Sequence, residues 1–440
     1  MSFFLSLRLM RRLFCLTIIL TFLIPLSCTS GKGGVKQSDK ERILTVLATV
    51  PSDALCIGYA SDCRLTDMVI DSTSTFFSLG INRLRGCGMA LSQCYAGKVV
   101  PVLSIAPVPT QFRSDTSSAF NSVISAASRK GLKTLFLSDS PSLPDGIGVL
   151  LISPSDAQLK ASERHIRAGR SILDMERLRQ AVDSLPSSDQ MVILRNSGAA
   201  RLLDKSFLGG RFRTSEAGAL MHRSAEWTFF SKDGDGDVRV DFSCPDGYLY
   251  MAGFLGSLSG ADSRIGRVLP AATSFALTLT VPGDEFRQGY EKYLDANVRM
   301  VKYRGRIREL ARSTGKSPLK WEKELDVREI ATVDFDSYRV VLLREGKKVA
   351  PAEPFVNPYQ GFTGALYGSA FSLSDDSCAA VRDGWMAVGD EESVKAWYIS
   401  EFENNGFDKW PSKNIRFSLY YAGKSAAWDT KGMKIWNLNQ

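Results

Sequence analysis

The chain has 440 residues, of which 44% are hydrophobic and 23% are charged, and its formal net charge is +8. This composition is that of an ordinary globular protein, and the length allows two or three domains with real hydrophobic cores. The basic excess is modest, and the sequence has no block of lysines and arginines of the kind that follows phosphates. Nucleic acid is therefore excluded as a partner.

The first 27 residues are predicted to be a lipoprotein signal peptide. Three arginines precede an apolar run at residues 13–26, and the small residue Ser27 stands before Cys28. A basic start, a short apolar segment and a cleavage site in this order are typical of an export signal. The run is shorter than the ~20 residues that a membrane-spanning helix needs. We expect cleavage before Cys28 and a covalent lipid, including palmitate, on that cysteine.

A polar tether is predicted at residues 28–39, which are rich in glycine, serine and lysine. Several acyl chains on Cys28 would anchor the mature protein firmly, at about 0.8 kcal/mol per buried CH₂ group. Thr29 follows the cysteine, and by resemblance to other lipoproteins the lack of Asp there favours the outer membrane over the inner one. The expected location is the cell envelope, lipid-anchored and largely periplasmic.

Two other interpretations of the N-terminus stay open. Residues 3–7 could extend the apolar segment into an uncleaved membrane anchor, or an ordinary signal peptidase could cut near Ser27 or Ser30. One feature departs from the usual lipoprotein signal, because Pro25 occupies the position three before the cysteine, where leucine is common.

Six cysteines remain after Cys15 is removed with the signal and Cys28 is lipidated. Both Cys56/Cys63 and Cys87/Cys94 have six intervening residues, whereas zinc sites pair ligands two to four residues apart. This spacing argues against a metal. Cys56 lies in an apolar strand pattern and is predicted to be a buried free thiol. A disulfide between the two clusters is left open, since an exported protein meets an oxidising space.

The predicted elements mix strands and helices. The fold class is predicted to be α+β, with mainly antiparallel sheet and packed helices. In chain order the elements are a hairpin of residues 88–95 and 98–105, a helix over 114–129, a strand over 132–137, two strands at 227–230 and 238–242, and a long helix over 284–313 that ends before Gly315. The long helix is predicted to bury one stripe, made of Phe286, Tyr290, Leu294 and Val298, followed by Ile307 and Leu310.

An internal repeat divides the chain into a first unit at residues 40–264 and a second, related unit at residues 265–440. Similar short patterns recur at offsets of about 220 to 240 residues, although strand–turn–helix patterns can also match by chance. The matched pairs are Pro51 with Pro270, Leu137 with Leu373, Leu159 with Val394, and Pro186 with Pro411. Far fewer residues follow Pro411 than follow Pro186 within its unit, so the second unit is predicted to be incomplete at its C-terminus.

No catalytic residue is assigned from the sequence. Neither His165 nor His222 has a nucleophile and an orienting group nearby in a recognisable pattern. The glycine–serine stretch at residues 256–260 has Leu258 where a nucleophile elbow needs serine. Gly315 begins a short match to a phosphate-binding loop, but Leu310 stands where the first glycine should be. Gly315 is predicted to end a helix instead.

The candidate metal site consists of Asp233, Asp235 and Asp237, whose alternating carboxylates could converge on calcium. An EF-hand loop would need glycine at Val238 and glutamate at Cys244, and neither is present. A hairpin turn explains the same residues without metal. Beyond calcium there, no cofactor other than the lipid on Cys28 is expected.

The run at residues 164–174, together with the proline-initiated strands and the leader, resembles a family of uncharacterised bacterial cell-envelope lipoproteins built on a duplicated domain of unknown function. Residues 429–436 are similar to the rhythm of a β-propeller blade, into which some members continue. The resemblance covers most of the mature chain. It implies a fold, but it carries over no catalytic residue.

These features predict a membrane-anchored envelope lipoprotein, non-enzymatic, that serves as a binding or assembly module for an envelope protein or glycan. One alternative is an envelope hydrolase with an unrecognised carboxylate or serine site. Another is a purely structural lipoprotein. A discrete pocket would favour binding, a carboxylate cluster in an open cleft would favour the hydrolase, and the structural role predicts neither.

Overall fold

The computed structural model describes residues 37–65, 69–70, 75–95, 99–114, 118–138, 141, 146–184, 189–198, 222–232, 237–280, 284–346, 350–403, 405–408, 410–421, 423–429 and 432–437. The chain divides into two compact units, Met1–Pro245 and Asp246–Gln440. This division lies before the boundary predicted at Arg264/Ile265. The signal peptide, Cys28 and most of the tether lie outside the described residues.

Among its described residues, the first unit contains an antiparallel sheet of eight strands. They are β1 Cys56–Ala60, β2 Gly88–Tyr95, β3 Val99–Pro109, β4 Lys133–Leu137, β5 Ile147–Ser153, β6 Gln190–Arg195, β7 Trp227–Lys232 and β8 Val238–Ser243. Their spatial order is β8-β7-β6-β1-β2-β3-β5-β4. The first strand in the chain is therefore a central strand of the sheet.

Helices cover both faces of this sheet. They are α1 Gln37–Leu47, α2 Ala119–Arg129, α3 Asp156–Arg167 and α4 Glu176–Ser184. Strand β5 illustrates the arrangement, because Val149 and Leu151 belong to the core that contains side chains of α1, α3 and α4, whereas Leu150 and Ile152 belong to the core that contains α2. Burial on both faces explains why this strand is apolar throughout rather than alternating.

In the described part of the second unit, nine strands form an antiparallel sheet. Its strands are β9 Thr273–Thr280, β10 Val327–Phe335, β11 Tyr338–Glu345, β12 Ala352–Val356, β13 Cys378–Arg382, β14 Trp385–Gly389, β15 Phe417–Tyr421, β16 Lys424–Asp429 and β17 Gly432–Asn437. The spatial order is β17-β16-β15-β9-β10-β11-β14-β13-β12. Again the first strand is central.

The helices of the second unit are α5 Met251–Gly256, α6 Asp284–Ala296, α7 Met300–Thr314, α8 Pro318–Leu325, α9 Phe362–Tyr367 and α10 Glu391–Ile399. Helix α10 buries Val394 and Trp397 in a core with strands β10, β11, β13 and β14. Aromatic rings join α5, α6 and α9 elsewhere in the unit, where Phe286 lies 5.6 Å from Phe254 and 5.7 Å from Tyr367 between ring centroids. The described residues thus combine antiparallel sheet with packed helices, which confirms the predicted α+β class.

The same strand order recurs in the two units. Strands β1–β3 correspond to β9–β11, β4 and β5 to β13 and β14, and β6–β8 to β15–β17, while β12 is an additional edge strand. Pro51 and Pro270 precede corresponding strands, and so do Pro186 and Pro411. The match of Leu137 with Leu373 is wrong, because Leu137 ends β4 whereas Leu373 precedes β13.

Strands β15–β17 of the second unit are the counterparts of β6–β8 of the first. The difference in length lies within the connections. Residues 196–226 join β6 to β7, whereas residues 422–423 join β15 to β16. A long connection after one strand resembles an extra subdomain when only the sequence is read.

The long helix predicted over residues 284–313 is two helices, α6 and α7. Helix α6 ends in a Schellman-type turn, in which the Arg299 amide donates to the Leu294 carbonyl at 2.7 Å and Val298 takes a positive φ of 56°. Val298 is consequently 92% exposed rather than part of the predicted buried stripe. No helix in the described ranges is long and apolar enough to cross a membrane.

Candidate functional site

A cavity of about 510 Å³ opens in the second unit. Two segments form it, one leading into β9 and the other leading into β15. The lining residues are Ser263, Arg264, Gly266, Arg267, Phe402, Glu403, Asn405, Phe407, Asp408, Trp410 and Ser412. Its volume lies in the range of about 300–1,000 Å³ that is usual for ligand sites.

Aromatic side chains form the buried part of the cavity wall. Phe407 and Trp410 are 5% and 6% exposed, and their ring centroids lie 6.0 Å apart in an edge-to-face arrangement. Phe407 also meets Tyr420 of β15 edge-to-face at 5.0 Å. Such contacts fix the two rings relative to the sheet. The buried part of the wall thus consists of aromatic rings that pack against each other and against the sheet.

Asn405 joins the two segments that form the cavity. Its side-chain amide donates to the carbonyls of Gly266 and Leu269, both at 2.8 Å, and its Oδ1 accepts the amide of Phe407 at 3.0 Å. Gly266 allows the close approach, because a Cβ atom there would lie 2.8 Å from the Cβ of Trp410. The buried side chain of Asn405 therefore holds the two segments together, and any side chain at position 266 would collide with Trp410.

A buried carboxylate positions the segment that leads into β9. Glu329 of β10 has no exposed surface, and its side chain accepts the Ser263 hydroxyl at 2.5 Å and the Arg264 amide at 2.9 Å. Arg344 of β11 lies 3.3 Å away. Burial raises the pKa of Glu329, while these donors and the guanidinium oppose the rise. The network fixes the main chain of two residues that line the cavity.

The rim of the cavity carries both signs of charge. Arg264, Arg267, Glu403 and Asp408 are all exposed, and within the described part of the chain no ion pair joins them to one another. Charged groups without mutual partners can serve a ligand, because they have no internal ion pair to break first. The mixed signs and the hydroxyl and amide groups suit a polar ligand rather than an acyl chain.

The connection between the last helix and β15 explains why a cavity can form here. In the first unit, the counterpart connection from α3 to β6 contains a 3₁₀ turn at Ile172–Asp174 and the helix α4. There the Ile172 amide donates to the Val50 carbonyl at 2.8 Å, which closes the connection onto the segment before β1. In the second unit the connection from α10 to β15 spans residues 400–416 and contains no helix within its described residues.

Arg382 holds the beginning of that connection. Its guanidinium donates to the carbonyls of Tyr398 and Ser400 at 2.6 and 2.8 Å, and it lies 4.5 Å above the ring centre of Phe402. This combination of hydrogen bonds and a cation–π contact orients an aromatic ring of the cavity wall. The first part of the connection is thus fixed at two points, by Arg382 and by Asn405.

The candidates taken from the sequence lie elsewhere. Cys28, Asp233 and Asp235 fall outside the described residues, and Asp237 stands immediately before β8. Among the described residues there is no group of three or more His, Cys, Asp or Glu that could hold a metal ion.

The other sequence candidates have structural positions. His165 is half-buried near the end of α3, where its carbonyl accepts the Arg170 amide at 2.9 Å, and His222 is exposed. Gly315 has a φ of 68° and caps α7, so its predicted role as a helix end is confirmed. The run at residues 164–174 forms the end of α3 and a 3₁₀ turn with a capping box between Ser171 and Asp174.

None of the residues lining the cavity was singled out from the sequence. Glu329 offered little signal, because it follows another charged residue, Arg328, although every residue of β10 except Arg328 is buried. No protein-family model, no curated protein and no solved structure matches the chain.

Proposed function

We propose that the protein is a lipid-anchored lipoprotein of the cell envelope that binds an envelope peptide or glycan without catalysing a reaction. The leader and Cys28 support the anchor. One observation carries the binding role, namely the cavity of about 510 Å³, which has buried aromatic residues in its wall and charged residues that form no ion pair with one another among the described residues. A purely structural lipoprotein has no need of such a cavity.

The chemistry of the rim supports a polar, chain-like ligand. Arg264 and Arg267 can bind carboxylates or carbonyl oxygens, and Glu403 and Asp408 can accept hydrogen bonds from hydroxyl, amide or ammonium groups. A peptide or a glycan offers both kinds of group along one chain. The anchor would keep the site within reach of envelope polymers, since a tether of about a dozen residues extends only a few nanometres.

A hydrolase is the second candidate, and one observation favours it. Ser263 lines the cavity and donates to Glu329, whose pKa is raised by burial, as a general base would require. Against this, Glu329 also accepts the Arg264 amide and lies beside Arg344, and Ser263 is only 3% exposed. These contacts are better explained by a carboxylate that positions the main chain.

The anchor is tested by labelling cells with radioactive palmitate. We expect label on the full-length protein, loss of label in Cys28→Ala, and release of that variant from the membrane fraction. Label that persists in Cys28→Ala would overturn the assignment of the lipid site. The cysteine Cys56 serves as the control, because Cys56→Ala should remain labelled.

Binding is tested by calorimetric titration of the mature protein, without lipid, with an N-acetylated glycan chain and with peptides from envelope proteins. We expect one probe class to bind, and Arg267→Ala to weaken binding by roughly tenfold. Arg312→Ala is the matched control, since Arg312 is exposed in the last turn of α7 and does not line the cavity. Equal effects of the two substitutions would contradict the site. Turnover of a probe that is lost in Ser263→Ala would favour the hydrolase.

A further inference from the structure

In the first unit, two cysteines lie close together where the chain leaves β1 and where it enters β2. Cys63 follows β1 and Cys87 precedes β2, and the amide of Cys63 donates to the carbonyl of Cys87 at 2.9 Å. The hydrogen bond lies just beyond the paired strands, where Ala60 is opposite Met89, and directly opposed residues of an antiparallel pair have Cα atoms about 4.5–5.5 Å apart. A disulfide typically joins Cα atoms about 4.4–6.8 Å apart. The main chains of the two cysteines are therefore held close together next to a strand pair whose spacing suits a disulfide.

The side chains point into the same core. Cys63 and Cys87 are 0% and 1% exposed, and both belong to the cluster that contains Ala60, Met89 and the side chains of α2. The pKa of Cys63 is raised, first by burial and then by the nearby Cys87. Burial likewise raises the pKa of Cys87, to about 11. Both side chains therefore lie in one core on the same side of the sheet, where they are free thiols and Cys87 Sγ donates to the Arg85 carbonyl at 3.2 Å.

The other two cysteines of this region cannot pair in the same way. In the register of β1 and β2, Cys56 lies opposite Gln93, one position away from Cys94. Neighbouring positions on a strand point to opposite faces. Cys94 belongs to the core on the α1 side, together with Ile57 of β1, so Cys56 points away from it. Cys56 and Cys94 are close in the register of β1 and β2, but their side chains lie on opposite faces of the sheet and cannot form a disulfide.

We propose that Cys63 and Cys87 form a disulfide bond in the exported protein. The bond would close the connection between β1 and β2 at its base. That connection carries 3₁₀ turns at Phe77–Leu79 and Ile81–Arg83 and contributes Leu79, Ile81 and Leu84 to the core. The disulfide ties a long non-regular segment to the two strands on which its packing depends.

The chemistry is an exchange with a disulfide oxidant. The thiolate of one cysteine attacks the oxidant's sulfur–sulfur bond and releases one of its sulfurs as a thiolate. The thiolate of the second cysteine then attacks the mixed disulfide and releases the other sulfur. Two protons leave the protein thiols, Cys63 and Cys87 are oxidised, and the oxidant is reduced to two thiols. Because both thiols are buried in the fold, the exchange must take place before the core closes around them.

The first experiment refolds the reduced mature protein in a mixture of reduced and oxidised glutathione, followed by alkylation and mass spectrometry. We expect the refolded protein to carry two fewer alkyl groups than the reduced, unfolded protein alkylated in the same way, and to yield a cross-linked peptide pair containing Cys63 and Cys87. The bond should persist in Cys56→Ser and Cys94→Ser and vanish in Cys63→Ser. Reduction should lower the melting temperature by roughly 5–10 °C. Free thiols at both positions after refolding would overturn the proposal.

The second experiment extracts the protein from envelopes with alkylating reagent present from the first step. This part rests on the proposed function, since it needs export to an oxidising compartment. A cross-link between Cys63 and Cys87 supports the proposal. Free thiols at both positions in the extracted protein would overturn the proposal that the bond forms in the cell, even if the bond forms on refolding. The lipid on Cys28 in the same sample then separates the two failures, because lipidated protein with free thiols has been exported, whereas protein without lipid has not.

Discussion

Arg344 and Glu329 form an ion pair inside the second unit, with Nε of the arginine 3.3 Å from Oε2 of a carboxylate that has no exposed surface. Arg344 also donates to the Asp262 carbonyl at 2.8 Å, while Glu329 accepts the amide of Arg264. This ion pair thus holds the main chain of Asp262 and of Arg264, the residues on either side of Ser263. The edge of the cavity depends on this contact, although neither charged group lines the cavity.

Glu329→Gln removes the negative charge from this pair and leaves Arg344 partly buried without a counter-charge. We expect the free energy of unfolding to fall by about 3–5 kcal/mol, as for other broken buried pairs. Denaturant unfolding measures the change. The control is Glu391→Gln, whose pair with Lys395 lies on the exposed face of α10 and should contribute almost nothing. Equal losses in the two variants would contradict a structural role for Glu329.

Glu345 is a second buried carboxylate, but neither of its oxygens has a hydrogen-bond partner among the described residues. Burial raises its pKa to about 7. The folded protein therefore keeps the proton that the unfolded chain loses near pH 4.3. The resulting stability is fully present below that pH and is lost as the pH rises through 7. Glu345→Gln, which cannot ionise, should gain about 3 kcal/mol relative to the wild type between pH 4.5 and 8.

The comparison requires denaturant unfolding of both proteins across this pH range. Glu392→Gln is the matched control, because Glu392 is exposed on α10 and its substitution should leave the pH dependence of unfolding unchanged. If the free energy of unfolding of the wild type changed with pH in parallel with that of Glu345→Gln, ionisation of Glu345 would not destabilise the folded protein, which would contradict the prediction.

Val298 occupies the left-handed position at the end of α6, with a φ of 56° and 92% of its side chain exposed. A β-branched residue is strained there, and the exposed side chain packs against little. We expect Val298→Gly to raise the free energy of unfolding by about 1 kcal/mol. Val301→Gly should lower it by roughly 0.3 kcal/mol, because Val301 is 82% exposed but lies within α7, where glycine is a poorer helix former than valine. Thermal unfolding of the two variants should therefore shift in opposite directions.

Asn405→Ala leaves two carbonyls, those of Gly266 and Leu269, and the Phe407 amide without partners. We expect a loss of about 2–4 kcal/mol in the free energy of unfolding. Hydrogen exchange at the Phe407 amide should become faster, and ligand binding in the cavity should weaken. Ser412→Ala is the control, since Ser412 is an exposed lining residue. Unchanged exchange at Phe407 would show that Asn405 does not hold the wall.

Local features of the fold were predictable from the sequence. The hairpin at residues 88–105 is present as β2 and β3, in which Gly88 lies opposite Ala106 and Tyr95 opposite Val99. Short-range pairing of this kind depends on a turn signal and on two apolar runs, and both are visible in the sequence. The helix predicted over residues 114–129 begins later, at Ala119, because Ser118 caps it.

Features that depend on distant contacts were not predictable. The hydrogen bond from Asn405 to Gly266 joins residues 139 positions apart, so no local pattern could reveal the cavity. The break at Val298 was also missed, because its position continues the helical spacing of the apolar residues and neither glycine nor proline marks the turn. Periodicity records which residues could share a face, but it does not record where the main chain changes direction.

The central position of β9 has a consequence for the order of folding. β9 pairs with β15, so Leu277 must find Leu419 after most of the unit has been synthesised. Until then one edge of β9 has no strand beside it, and closing such a long loop is slow. The same holds for β1, because one of its edges has no neighbouring strand until β6 pairs with it. Completing each sheet is therefore a late kinetic step, and the exposed edge is where a nascent chain is open to wrong pairing or to a chaperone.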